Sequence, residues 1–376
     1  MINFNKPYLH GKELVYIAQA VAAGKISGDG TFTRKCHDFF EQRYGFRKAL
    51  MTTSCTDALE MAAILLDIQL GDEVIAPSYT FVSTVNAFAL RGAKIIFADS
   101  YSDHPNVDPA QIEKLITPNT KAIVVVHYAG VACDMDAIMA IANQHNIPVV
   151  EDAAQAIDSY YKGKPLGSIG TFGTFSFHET KNIIAGEGGL LVINDDKYIH
   201  RAEIIREKGT NRSSFFRGEV AKYGWVDIGS SFLPSDIISA YLYAQLENIE
   251  PIQARRKAIW QRYYDKLSIV LANTGIELPI IADYSTNNAH MFYLVCVSLE
   301  QRTALIQHLK DNEVHAVFHY LSLHTSEFYQ GKYIGYPLPN SDCFSDTLVR
   351  LPLFYELTDE HVDYICVQIR NFVELK

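Results

Sequence analysis

Residues 121–152, KAIVVVHYAGVACDMDAIMAIANQHNIPVVED, decide the fold. KAIVVV (121–126) is an unbroken apolar run of strand length, Asp134–His145 reads as a helix, and IPVVED (147–152) is a second apolar strand. Strands this uniformly apolar are buried on both faces, which is the mark of a parallel sheet covered by helices. Working outward, the alternation continues upstream. KALMTT (48–53), DEVIAPS (72–78) and AKIIFAD (93–99) read as strands, and Ser54–Leu66, Thr80–Leu90 and Pro109–Ile116 as helices. Downstream come strands at Phe172–Phe177 and LLVIN (190–194), then helices at Lys197–Lys208 and Pro234–Leu246. The expected class is α/β with a large, mostly parallel sheet.

The two ends read differently. Residues 1–10 look extended, and helices at Gly11–Gly24 and Thr33–Tyr44 form an arm broken by the loop KISGDGTFT. Past Pro251, QARRKAIWQRYYDKL opens a long helix leading to a smaller α+β unit. That unit has strands HMFYLVCVSL (290–299) and VHAVFHY (314–320) and helices Glu300–Asp311 and Glu360–Phe372. The expected division is 1–248 for the large domain with its helical arm and 249–376 for the small one.

The chain has 376 residues, 48% hydrophobic and 20% charged, as in an ordinary globular enzyme. A net charge of −10 argues against nucleic acid or an anionic membrane as the main partner. The six cysteines, Cys36, Cys55, Cys133, Cys296, Cys343 and Cys366, form no CxxC pair. They read as reduced thiols of a cytoplasmic protein, with no zinc site. The start MINFNKPYLHG lacks a basic-then-apolar leader, and no apolar run approaches the length of a membrane span.

In such sheets ligands bind beyond the carboxyl ends of the strands. The positions to watch are Thr53–Thr56, Pro77–Phe81, His127–Tyr128 and Asp152–Gln155. FGTFSFHETKN (172–182) adds Ser176 and then Lys181 just past a strand too small and apolar for the surface. A lone lysine is ordinarily a solvated charge, and an aspartate at a strand end is as often a helix cap or a magnesium ligand. Together, Asp152, Ser176 and Lys181 suit pyridoxal phosphate (PLP), which takes an acid partner for its ring nitrogen, donors for its phosphate and a lysine for its aldehyde carbon. HETKN fails the HExxH zinc signature, since Asn182 stands where the second histidine belongs. SCTDALE opens a helix at Ser54 and Cys55, an anion site or a plain cap. Tyr79 and Phe81 could stack on a planar cofactor or belong to the core. No GxGxxG follows an early strand, which speaks against a nucleotide-dependent oxidoreductase.

The ordered set SCTDAL, PSYTFVST, VVEDAAQA, FSFHETKN and GEGG resembles the DegT/DnrJ-type sugar aminotransferases over essentially the whole chain. The resemblance implies a fold-type I, aspartate aminotransferase-like PLP enzyme. It implies Lys181 as the covalent anchor of the cofactor, Asp152 on the pyridine nitrogen, Phe81 stacked on the ring and Gln155 near its hydroxyl. Ser54, Cys55 and Ser176 would hold the phosphate, and His319 and His324 would lie near the sugar. HETKN, IIREKGTNRS and VFHYLSLH are most similar to members that make dTDP-4-amino-4,6-dideoxygalactose. The implied reaction moves an amino group from L-glutamate to C4 of dTDP-4-dehydro-6-deoxyglucose, with a C3 aminotransferase or an inactive PLP-binding regulator as alternatives. It also implies a homodimer with shared sites. KGTNRSSFFRG, with Lys208, Arg212 and Arg217, either crosses that boundary or meets the nucleotide diphosphate, or is a plain solvated loop. One departure stands out. In IGSSFLPSD, Ser231 and Leu233 occupy the positions of an asparagine and an arginine found in many members, so the cross-subunit phosphate contact is either absent or made by the shorter Ser231.

Overall fold

The computed structural model describes residues 1–374. Seven strands make the large sheet: β1 (Lys48–Thr52), β2 (Glu73–Pro77), β3 (Lys94–Ala98), β4 (Thr120–Val126), β5 (Val149–Asp152), then, after a two-stranded hairpin β6 (Tyr160–Tyr161) and β7 (Lys164–Pro165), β8 (Phe172–Ser176) and β9 (Gly189–Ile193). Their order is β1-β9-β8-β5-β4-β2-β3. β3, β2, β4, β5 and β8 run parallel, while β9 is antiparallel to both its neighbours β8 and β1. The parallel expectation therefore holds apart from β9.

The strand-length apolar runs are apolar because both faces are covered. In β4, Ile123 and Val125 join one core cluster and Ala122 and Val124 the other. β1 repeats the pattern, with Ala49 and Met51 on one side and Leu50 on the other. The first face takes residues of α2 (Thr31–Tyr44), α6 (Met135–His145) and α9 (Asp236–Leu246). The second takes α3 (Cys55–Leu65), α4 (Ser83–Ala89) and α7 (Ile199–Arg206).

The arm is pinned rather than loose. Asp236 Oδ1 accepts from the Thr33 amide at 2.8 Å, serving the open N-terminus of α2 from another helix. Gly30 has no room for a side chain, because a Cβ there would sit 2.3 Å from the Asp236 carboxylate. α1 (Glu13–Ala22) packs beside α9.

A third cluster is built from α10 (Ile249–Val270), α11 (Leu299–Asp311), α13 (Asp359–Glu374), β10 (Phe292–Val295) and β12 (Leu348–Leu351). The strand expected over 314–320 shrinks to β11, Val317–Phe318, and the three strands run antiparallel in the order β10-β12-β11. The helix expected from Thr80 begins at Ser83, because residues 78–81 form the turn that leaves β2.

Candidate active site

Three of the four strand ends singled out above open on one cavity of about 540 Å³; His127–Tyr128 does not line it, and His127 turns to Glu151 instead. Ser54, Cys55, Phe81, Asp152, Gln155, Ser176, Lys181 and His319 all line it.

Asp152 is the last residue of β5 and is buried. Its Oδ2 accepts from Thr84 Oγ1 at 2.7 Å and its Oδ1 from the Ala154 amide at 3.1 Å. Burial raises its pKa; these hydrogen bonds and the Lys181 charge partly oppose that. A buried carboxylate held this firmly, with no cation bonded to it among the described residues, suits a protonated ring nitrogen.

Lys181 sits at the tip of a hydrogen-bonded excursion between β8 and β9. Phe177 N donates to Gly188 O, Ala185 N to Phe177 O and Lys181 N to His178 O. Its neighbour Asn182 locks the tip, donating to Gln253 Oε1 at 2.9 Å and Asn288 O at 2.8 Å, with His290 Nδ1 2.9 Å from its Oδ1. The residue that breaks the HExxH spacing is thus a brace for the lysine. Burial pushes the Lys181 pKa down to about 8, and the Arg350 charge adds to that.

Ser54 caps α3, its Oγ accepting from the Asp57 amide at 3.1 Å. The first-turn amides of a helix have no acceptor within it, so the cap and the anion site are compatible. Gly189 of β9 completes the cradle. A Cβ there would lie 2.2 Å from the Ser54 carbonyl, so only glycine lets β9 approach this turn. Phe81 stays 54% exposed at the cavity edge, 6.1 Å from Tyr320, and offers a bare aromatic face. Gln155 accepts from the Ala129 amide at 2.6 Å and donates to Tyr320 OH at 2.9 Å. These features fit PLP: a desolvated lysine, a buried acid, an open helix start and a free ring face in one cavity.

Other sequence candidates fall elsewhere. His324 is buried outside the cavity, its Nδ1 2.8 Å from Ser78 Oγ. Ser231 is exposed and pairs through its backbone with the buried Glu207, Lys208 is exposed with φ 64°, and Arg212 lies 3.9 Å from Glu207. None of the three lines the cavity of its own chain. Conversely, Thr84, His290, Tyr320 and Arg350 belong to the site and escaped notice. Arg350 alone left a signal, a cation inside the apolar run LVRL. Burial holds His290 and His319 well below the ordinary histidine pKa, so both are neutral at pH 7.

Among the described residues no group of three His, Cys, Asp or Glu could hold a metal ion, and no helix is long and apolar enough to cross a membrane. The model of the DegT/DnrJ/EryC1/StrS aminotransferase family matches residues 7–370. The chain is similar to the aminotransferase TlmJ from Streptoalloteichus hindustanus, at 28% identity and TM-score 0.91, over 100% of this chain and 99% of that one. It is also similar to the putative sugar aminotransferase Spr1654 from Streptococcus pneumoniae. The PMP form of that protein matches at 26% identity and TM-score 0.92 over all of both chains, and its PLP form at TM-score 0.91. The chain belongs to the DegT/DnrJ/EryC1/StrS aminotransferase family and is a PLP-dependent aminotransferase of fold-type I.

Proposed function

We propose that the enzyme moves the amino group of L-glutamate to C4 of dTDP-4-dehydro-6-deoxyglucose. The product is dTDP-4-amino-4,6-dideoxygalactose, a precursor of surface polysaccharide. The observation that carries the reading is Lys181 and Asp152 facing one cavity of about 540 Å³, a volume that suits a cofactor and a sugar together. The similarity of HETKN, IIREKGTNRS and VFHYLSLH to enzymes of that product supports the choice of sugar.

Bound PLP supplies an electron sink for the carbon that carries the amino group. The rest is the work of this chain's residues. Lys181 anchors the cofactor and, once free, moves a proton at the carbon that loses or gains the amine. A pKa of about 8 keeps that amine close to its two protonation states near neutrality. Asp152 keeps the ring nitrogen protonated, and Thr84 and the Ala154 amide hold the carboxylate in place. Ser54, Cys55 and Ser176 hold the phosphate, Phe81 covers the ring, and Gln155 meets its hydroxyl. His319, bonded through Nδ1 to Tyr128 OH at 2.6 Å, faces the sugar as a neutral donor or acceptor. His324 serves at one remove, bracing through Ser78 the turn that carries Phe81.

The working form in this proposal is a cytoplasmic homodimer of two-domain chains, divided at 248/249. Ser231, Lys208 and Arg212, all outside their own cavity, then serve the partner's phosphate and the nucleotide diphosphate. The test is product analysis. Enzyme, PLP, L-glutamate and dTDP-4-dehydro-6-deoxyglucose should yield one amino sugar with nitrogen at C4 and the galacto configuration by NMR. An amine at C3, or none, would reject this substrate.

A further inference from the structure

His290 is braced on one side of its ring and bare on the other. It lies just before β10, is 5% exposed, and lines the cavity with Lys181. Asn182 settles its tautomer. The Asn182 Nδ2 group donates to the Asn288 carbonyl at 2.8 Å and to Gln253 Oε1 at 2.9 Å, so Oδ1 is the acceptor that meets His290 Nδ1 at 2.9 Å. Nδ1 therefore carries the hydrogen. Burial, and then the charges of Lys181, Arg256 and Arg350, keep the ring neutral, and a neutral imidazole has a single N–H. Nε2 is thus a lone pair, and among the described residues nothing donates to it. The backbone is clamped as well: His290 N donates to Asn288 Oδ1 at 3.0 Å, and Arg256 Nη2 donates to His290 O at 2.7 Å.

A fixed acceptor in a buried cavity, left without a donor, is a place for a mobile N–H or O–H. Lys181 supplies one. It is the chain neighbour of Asn182, which holds the ring, and its charge acts on the ring ahead of those of Arg256 and Arg350. Arg256 has already turned its donors to the Ala289 and His290 carbonyls. The lysine is also the group that the reaction sets loose. Once the amino donor has displaced it, its amine takes the proton of the donor's α-carbon and becomes an ammonium with three N–H bonds. We propose that His290 Nε2 accepts one of these N–H bonds and holds the Lys181 ammonium beside the reacting carbon until it passes the proton on. The proton stays on the lysine throughout, so His290 is a positioning residue and not an acid or base. This rests on the reading of Lys181 as proton carrier, but not on the identity of the amino donor or of the sugar.

The test has a kinetic arm and a spectroscopic one. His290→Asn keeps an amide N–H for Asn182 and removes Nε2, whereas His290→Gln puts an oxygen where Nε2 was. In PLP-loaded His290→Asn the limiting rate of single-turnover bleaching by L-glutamate should fall about 10- to 100-fold, the loss of one hydrogen bond to a charged group. The half-saturating glutamate concentration should stay unchanged, the isotope effect of α-deuterated glutamate should rise, and His290→Gln should recover part of the rate. The second arm needs no turnover. In histidine-labelled protein loaded with pyridoxamine phosphate, Lys181 is free, and the His290 Nε2 signal in 15N NMR, assigned by its absence in His290→Gln, should lie upfield of its position in Lys181→Met loaded the same way. Coincident Nε2 signals in those two proteins would overturn the inference, whether or not His290→Asn folds. So would equal limiting rates and isotope effects in wild type and His290→Asn, or a loss confined to half-saturation, since the ring would then only help to bind the donor. A wild type that L-glutamate does not bleach would overturn the donor assignment and leave the NMR comparison to decide this inference.

Discussion

Replacing Lys181 with methionine should stabilise the cofactor-free protein, and the gain should depend on pH. The lysine is free to ionise in the unfolded chain with a pKa near 10.4, but burial lowers it to about 8 in the folded one. Between those values the unfolded chain binds more protons, so the folded state gains stability as pH rises. Below pH 8 the full penalty is present: about 3 kcal/mol at pH 7, falling to about 0.7 kcal/mol at pH 10. Methionine keeps most of the volume and removes the charge. Urea unfolding at fixed protomer concentration can be followed by fluorescence of buried Trp260. Lys181→Met should exceed wild type by about 3 kcal/mol at pH 7, with the difference falling to about 0.7 kcal/mol at pH 10. A variant no more stable than wild type at pH 7, or a difference constant with pH, would refute the argument that the cavity desolvates this lysine.

Three further outcomes follow from the geometry. Asp152→Asn keeps the hydrogen bond from Thr84 but cannot hold a protonated ring nitrogen, so single-turnover bleaching by L-glutamate should slow by about 10³-fold while the fold stays intact. Glu151 is fully buried and accepts from the Gly167, Ile169 and Gly170 amides at 2.6 to 2.8 Å, with His127 Nε2 2.9 Å away. Glu151→Ala orphans all of these and should cost about 3–5 kcal/mol in urea unfolding, with the 167–170 turn the first segment to lose amide protection in hydrogen exchange. Gly189→Ala puts a methyl group against the Ser54 carbonyl, so PLP affinity in equilibrium titration should fall about tenfold or more as the start of α3 is displaced.

How much of this was legible beforehand depends on how local each signal is. β4 and β5 announce themselves because both faces of each strand are buried, and Asp152 follows as the polar residue closing an apolar strand. Lys181 and Ser176 stand out because an apolar strand runs into a polar turn. Ser54 reads correctly as a cap, and the cap does not compete with an anion site. The rest of the cavity is made by side chains far apart in sequence. Thr84 reaches Asp152 across 68 residues, and Tyr320 meets Gln155 across 165, pairings that no local periodicity reports. β12 was missed because four residues between Thr347 and Pro352 are too short a run. His324 misleads for the converse reason: it is close in sequence to His319, yet its ring turns to Ser78 and away from the cavity.

The central claim is that Lys181 anchors the cofactor and moves the proton as the amino group passes to a nucleotide-linked keto sugar. The most direct measurement is the absorption spectrum of PLP-loaded wild type and Lys181→Ala, titrated first with L-glutamate and then with dTDP-4-dehydro-6-deoxyglucose. Wild type should show a yellow band that bleaches with glutamate and returns with the keto sugar, while Lys181→Ala completes no such cycle. A band that bleaches and never returns with this sugar would contradict the substrate. A full cycle at the wild-type rate in Lys181→Ala would contradict the role of the lysine and with it the mechanism.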